Sequence, residues 1–141
     1  MPEPDLRLFF LLQRAAHQLR TTADRRLLAA AGITTAQLGA LFAVRDRPGL
    51  SQRELAHTLG LRESAVTGLV GRLTAAGLIE RGPHPSEHRA VVLELTDTGR
   101  DALRAARPEI DRFNAELREL LGEEGFTGTA GALGRLVDWR P

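Results

Sequence analysis

Hydrophobic residues recur every three or four positions over most of this chain, the period of helices with one buried face. Over residues 5–31 the stripe is Leu8, Leu12, Ala15, Leu19, Ala23 and Leu27. Gly32 followed by Ile33 predicts where that helix ends. Phe9, Phe10 and Leu11 make its first turns apolar on most sides, as in a helix covered all round by protein. Thr34 and Gln37 have the spacing of a capping box, so a second helix is predicted over 35–45, with Leu38, Leu41 and Phe42 on one side. Arg47-Pro48-Gly49 is a turn signal.

The stretch 51–95 organises the rest. Ser51 and Glu54 form a second capping box, flanked by Leu50 and Leu55 at the positions of a hydrophobic staple. Gly60 predicts a left-handed stop, so this helix is only about two turns long. The next helix carries Val66, Leu69, Val70 and Leu73 as one buried stripe. Its other face carries Ser64, Thr67, Gly68 and Gly71. Gly77, with Leu78 able to touch Leu73, predicts a Schellman end. Two short helices joined by a glycine turn make a helix-turn-helix, whose second helix lies in a DNA major groove. Alternation at 92–95 then predicts a strand. The turn-rich segment 82–86 cannot continue a helix, so two strands around it make a hairpin wing.

Thr96 predicts the N-cap of another long helix. Leu103, Ala106, Ile110, Phe113, Leu117 and Leu120 follow alternating steps of three and four, a coiled-coil-like seam. Pro108 lies inside this helix and predicts a kink. Toward the end, Leu133, Leu136 and Val137 suggest a helix, while glycines recur at 122, 125, 128, 131 and 134. Such glycines either allow close helix approach or leave a loose segment, because each costs about 1 kcal/mol against alanine in a helix interior. The expected fold is mainly α with a small β-hairpin. A winged helix-turn-helix lobe (32–95) stands between long N- and C-terminal dimerisation helices (5–31 and 97–139), within one domain spanning 1–141.

An ordered set of residues carries a family resemblance. Leu50-Ser-Gln-Arg-Glu-Leu-Ala56 is followed by Val66-Thr67, Arg72-Leu73 and Gly77-Leu78-Ile79. Then come Glu87-His88-Arg89 and Leu95-Thr96-Asp97-Thr98-Gly99. The set resembles the MarR family of bacterial and archaeal winged-helix transcription regulators, over nearly the whole chain. The resemblance implies a homodimer on double-stranded DNA, with two recognition helices meeting successive major grooves of a near-palindromic operator. It also implies repression relieved by a small aromatic or phenolic effector. Arg89 matches the wing-tip arginine that relatives insert into the minor groove, where narrow A·T-rich DNA attracts a guanidinium. Glu87 stands where relatives usually have Asp, and is expected to orient that arginine.

Composition narrows the picture. At 141 residues, one domain is favoured over two. Hydrophobic residues at 43% and charged residues at 26% are those of an ordinary globular protein. With no cysteine, disulfides, thiol redox sensing and cysteine zinc sites are excluded. A net charge of +1 is a weak basic signal. Every basic residue counted as charged is arginine, which suits bidentate contacts to phosphate and guanine, although genomic composition accounts for it as well. No apolar run approaches a membrane span and the start lacks a signal-peptide layout, so a cytoplasmic protein without membrane contact is expected.

The DNA contacts are assigned residue by residue. Ser51 and Gln52 begin the first helix of the pair. Ser64 and Thr67 face base edges or phosphates, and Gly68 lets the helix backbone approach the groove floor. Many relatives have a basic residue at Gly68 and a Ser or Thr cap at Arg62. Their absence leaves Arg62 and Arg72 for the phosphates. The wing adds Arg81, His88 and Arg89. His84 and His88 have a chelating spacing on a helix, but Pro83 and Pro85 make this a loop, so no metal and no cofactor is expected. Dimer contacts are assigned to Phe9, Phe10, Leu117, Leu120, Leu133, Leu136 and Val137. The effector is assigned to Arg14, His17, Phe42 and Arg45. An enzyme is not expected, because no nucleophile motif or phosphate-cradling loop occurs. The near-neutral charge keeps one alternative open, a winged helix that serves as an architectural or protein-binding module.

Overall fold

Both capping boxes form. In the computed structural model, which describes residues 3–87 and 90–141, the Gln37 amide donates to Thr34 Oγ1 at 3.2 Å. Gln37 Oε1 in turn accepts from the Thr34 amide at 2.9 Å. The Glu54 amide donates to Ser51 Oγ at 3.1 Å, and Glu54 Oε1 accepts from the Ser51 amide at 3.3 Å. These boxes start α2 (Thr35–Asp46) and α3 (Gln52–Leu59), which follow α1 (Leu8–Ala31) and the short strand β1 (Leu50–Ser51). The chain continues through α4 (Glu63–Ala75), β2 (Ile79–Pro83), β3 (Val91–Leu95) and α5 (Asp97–Asp138).

The glycine stops also form. Gly60 and Gly77 have φ of 65° and 73°. Leu78 donates to the Leu73 carbonyl at 2.9 Å and Gly77 to Thr74 at 3.0 Å, the two bonds of a Schellman end. Gly60 and Leu61 repeat the arrangement on His57 and Ala56. Around these helices Ile33, Leu41, Val44, Leu55, Val66, Val70, Leu73, Ile79 and Leu93 are fully buried. The stripe of α4 is therefore core, and its other face is free.

The structure departs from expectation at four places. The sheet has three antiparallel strands in the order β1-β3-β2, where a two-stranded hairpin was expected. The added strand pairs Leu50 with Leu93 and Ser51 with Val92. Strand β2 runs through Gly82 and Pro83, inside the expected turn. It tolerates proline because it is an edge strand and Pro83 is its last residue. Helix α1 begins at Leu8, since Asp5 bonds the Arg7 amide and guanidinium ahead of it. In α5 the non-helical residue is Gly122, at φ 75° and ψ 162°, and not Pro108. That region of φ and ψ is open essentially to glycine alone. The glycine-rich end beyond it is helical to Asp138.

The chain forms two compact units, one ending at Ala106 and the other running from Arg107 to Pro141. No single helix among the described residues is long and apolar enough to cross a membrane; α1 and α2 together meet that test only across a 68° bend.

Candidate nucleic-acid interface

The site is built on the outer face of α4. Ser64, Thr67, Gly68, Gly71 and Arg72 are all exposed, opposite the buried Val66, Leu69, Val70 and Leu73. Arg62 is the N-cap residue of α4 but makes no side-chain cap bond, so amides of the first turn stay available to an anion. Arg72 has no acidic partner among the described residues. Its guanidinium folds back along the helix, with Nη1 3.3 Å from where a Cβ on Gly68 would stand. Arg72 thus brings positive charge to the face from which Gly68 withholds a side chain.

Thr67 and Gln52 are brought together. Gln52 Nε2 donates to Thr67 Oγ1 at 2.7 Å, and Thr67 Oγ1 donates to the Glu63 carbonyl at 2.9 Å. The only hydroxyl hydrogen of Thr67 is therefore engaged, leaving it an acceptor toward any partner. Gln52 straps α3 to α4, and Arg53 adds an exposed ion pair to Glu63 at 3.3 Å. Ser51 Oγ is occupied as a cap acceptor. Ser51 holds the Glu54 carboxyl below its ordinary value, chiefly through side-chain and backbone hydrogen bonds, and Arg47 adds to this from 2.5 Å.

On the wing, Arg81, Gly82, Pro83, His84, Glu87, Ala90 and Val91 line an open hollow of about 450 Å³. Arg81 and Glu87 are exposed there. His88 and Arg89 lie outside the described residues, and so does the pairing of Glu87 with Arg89. The loop is closed at its base by a bond from the His84 amide to the Ala90 carbonyl at 3.0 Å. The His84 ring accepts from two amides beyond it, which the residue pattern did not announce. The signal available was spacing: a side-chain acceptor two and three residues ahead of the amides it gathers, as Asn or Asp would be.

The four residues that the sequence assigned to an effector fall into two pairs. Arg14 and His17 line a shallow groove of about 700 Å³ along α1, with Leu11, Gln13, Ala15 and Gln18. Phe42 and Arg45 stack on each other at 4.7 Å and do not line that groove. Of the residues that the sequence assigned to dimer contacts, Phe9 and Phe10 in the first unit are exposed, with their rings edge to face at 5.5 Å. In the second unit Leu120, Leu133, Leu136 and Val137 are exposed, and Leu117 is half-buried.

Comparison with known proteins places this geometry. The model of the MarR family matches residues 31–90, which contain α2 to β2. The transcriptional activatory protein BadR of Rhodopseudomonas palustris is 31% identical over 136 residues, covering 94% of this chain and 77% of BadR. The chain belongs to the MarR family. Among solved structures of this fold, the transcriptional repressor CouR bound to a 23-mer DNA duplex is 29% identical with a TM-score of 0.84; the match covers 96% of this chain and 99% of that one. The PcaV regulator of Streptomyces coelicolor, in complex with its natural ligand, is 28% identical with a TM-score of 0.77, covering 98% of each chain. Several other curated relatives are matched over only 54% to 63% of their length. Within this MarR-family chain, α4 is the second helix of the helix-turn-helix and β2–β3 is the wing.

Proposed function

We propose that the chain is a sequence-specific DNA-binding transcription regulator, a homodimer that represses from a near-palindromic operator in the cytoplasm. The observation that carries this reading is α4, whose apolar side is wholly committed to the core while Ser64, Thr67, Gly68 and Arg72 face solvent. A helix mounted in this way enters a major groove and reads base edges. In support, CouR carries duplex DNA on the same fold. Arg62, Arg72 and Arg81 supply phosphate contacts, with His88. Arg89 enters the minor groove, oriented by Glu87. Ser51 and Gln52 flank the backbone from α3.

The exposed Phe9, Phe10, Leu120, Leu133, Leu136 and Val137 support the homodimer, because a second copy removes their surface from water. Two copies of α4 then meet grooves about 34 Å apart. Repression follows the name of CouR; BadR bears the opposite sign. For the effector, the groove with Arg14 and His17 offers an apolar wall and a cation, which fits a small aromatic acid. The pair Phe42 and Arg45 makes a second cation–π surface for the same class of ligand.

Selection of duplexes from a random pool by the purified chain tests the reading. The expected result is a near-palindromic sequence bound with steep salt dependence by a particle of twice the chain mass in light scattering. Enrichment of no sequence would leave the winged helix as an architectural or protein-binding module.

A further inference from the structure

His84 has no part in the contacts assigned so far. It ends the β2–β3 ladder, its amide bonded to Ala90, and its imidazole turns forward over the loop. Nδ1 lies 3.1 Å from the Ser86 amide and 2.9 Å from the Glu87 amide. Both amides are donors, so Nδ1 is the unprotonated, accepting nitrogen of the ring. The Ala90 amide donates to the Glu87 carbonyl at 3.3 Å and closes the other side of the loop. One ring nitrogen thus gathers the backbone of residues 86 and 87, in a segment whose sequence provides no Asn, Asp or Thr for that purpose. A metal is not required to explain this histidine, and no group of three His, Asp or Glu side chains suited to one occurs among the described residues.

We propose that His84 is the positioning residue of the wing, whose Nδ1 holds the Ser86 and Glu87 amides and so pre-forms the turn at 84–87, just ahead of Arg89 in the sequence. The inference rests on the regulator reading above. Pre-forming the loop removes an ordering cost that binding would otherwise meet. The acceptor matters here, not the ring. Asn at 84 places Oδ1 where Nδ1 stands and bonds the same two amides as an Asx turn. Alanine has no acceptor.

The test compares wild type, His84→Ala and His84→Asn on a duplex enriched by the wild-type chain, by fluorescence anisotropy. Amide hydrogen exchange of Ser86 and Glu87 is followed in parallel. His84→Ala is expected to weaken binding about tenfold, equivalent to about 1.4 kcal/mol, and to speed exchange at both amides. His84→Asn is expected to restore both, while the thermal midpoints of the three proteins agree. Equal binding by His84→Ala and wild type would overturn the proposal, as would failure of His84→Asn to recover binding. A wild-type chain that enriches no duplex overturns the regulator reading instead, and the exchange rates then decide alone whether His84 holds the turn.

Discussion

Gly99 stands against the backbone carbonyl of Leu78 with no space for a side chain, because a Cβ built there would overlap the carbonyl oxygen. The contact joins the end of the α4 turn to the first turn of α5. Thr96 reinforces it: its hydroxyl donates to the Gly77 carbonyl at 2.5 Å and accepts from the Gly99 amide at 3.0 Å, while its own amide donates to Leu78 at 3.2 Å. The Leu95-Thr-x-x-Gly99 pattern is thus a clasp between two helices. Gly99→Ala should destabilise the fold by about 1–3 kcal/mol, the usual result of overpacking, despite alanine's better helix propensity. Thr96→Ala should lose about 1 kcal/mol as a cap, and Thr96→Ser should stay near wild type. Urea midpoints at a constant m-value measure all three.

Arg72 makes no ion pair among the described residues and lies along the exposed side of α4, so its charge is available to phosphate. Arg72→Ala should weaken binding to every duplex by a similar factor. It should also lower the magnitude of the slope of log K against log salt by about 1. Anisotropy titrations at four salt concentrations read that slope. A loss confined to one base position would instead make Arg72 a base reader.

Glu54 gives the fold an acid-side dependence. Its carboxyl is held below the ordinary glutamate value, first by Ser51 and then by Arg47. A carboxyl whose pKa is lower folded than unfolded stabilises above the unfolded value, about 4.3, and loses that contribution as pH falls through the folded value. Glu54→Gln keeps an acceptor for the Ser51 amide but does not titrate. Its urea midpoint should therefore fall less steeply than that of wild type on acidification below about pH 5. Parallel curves would dismiss the assignment.

Phe10 and Val137 are 59% and 73% exposed, one in each unit. If a second copy covers them, Phe10→Asp and Val137→Asp should each shift the light-scattering mass toward one chain, with helical circular dichroism retained. An unchanged mass for both would remove these residues from the interface.

Most of this fold was legible where a residue type has one local use. Ser51 with Glu54, Thr34 with Gln37, and glycines at 32, 60 and 77 marked helix ends that form as read. The stripe of α4 marked its buried side, and hence its free one. Strand β1 was hidden because two residues are too short to show alternation and Leu50-Ser51 already read as staple and cap. A kink was expected at Pro108, and the non-helical residue is Gly122: a proline can sit on helical φ, while the conformation of Gly122 is open essentially to glycine alone. At the site, exposure of Ser64 and Thr67 followed from periodicity. That Gln52 occupies Thr67 did not, because the bond joins residues 15 positions apart. His84 escaped notice as a turn-former because imidazole seldom takes that role.

Ser51 belongs to two elements at once, as the last residue of β1 opposite Val92 and as the N-cap of α3. Sheet register and helix phase are therefore gear-locked through a single position. One residue inserted between Leu50 and Ser51 must either slip the strand, turning its side chains over, or rotate α3 by about 100° beneath α4. Length variation should be forbidden at this junction, unlike the ordinary surface loop.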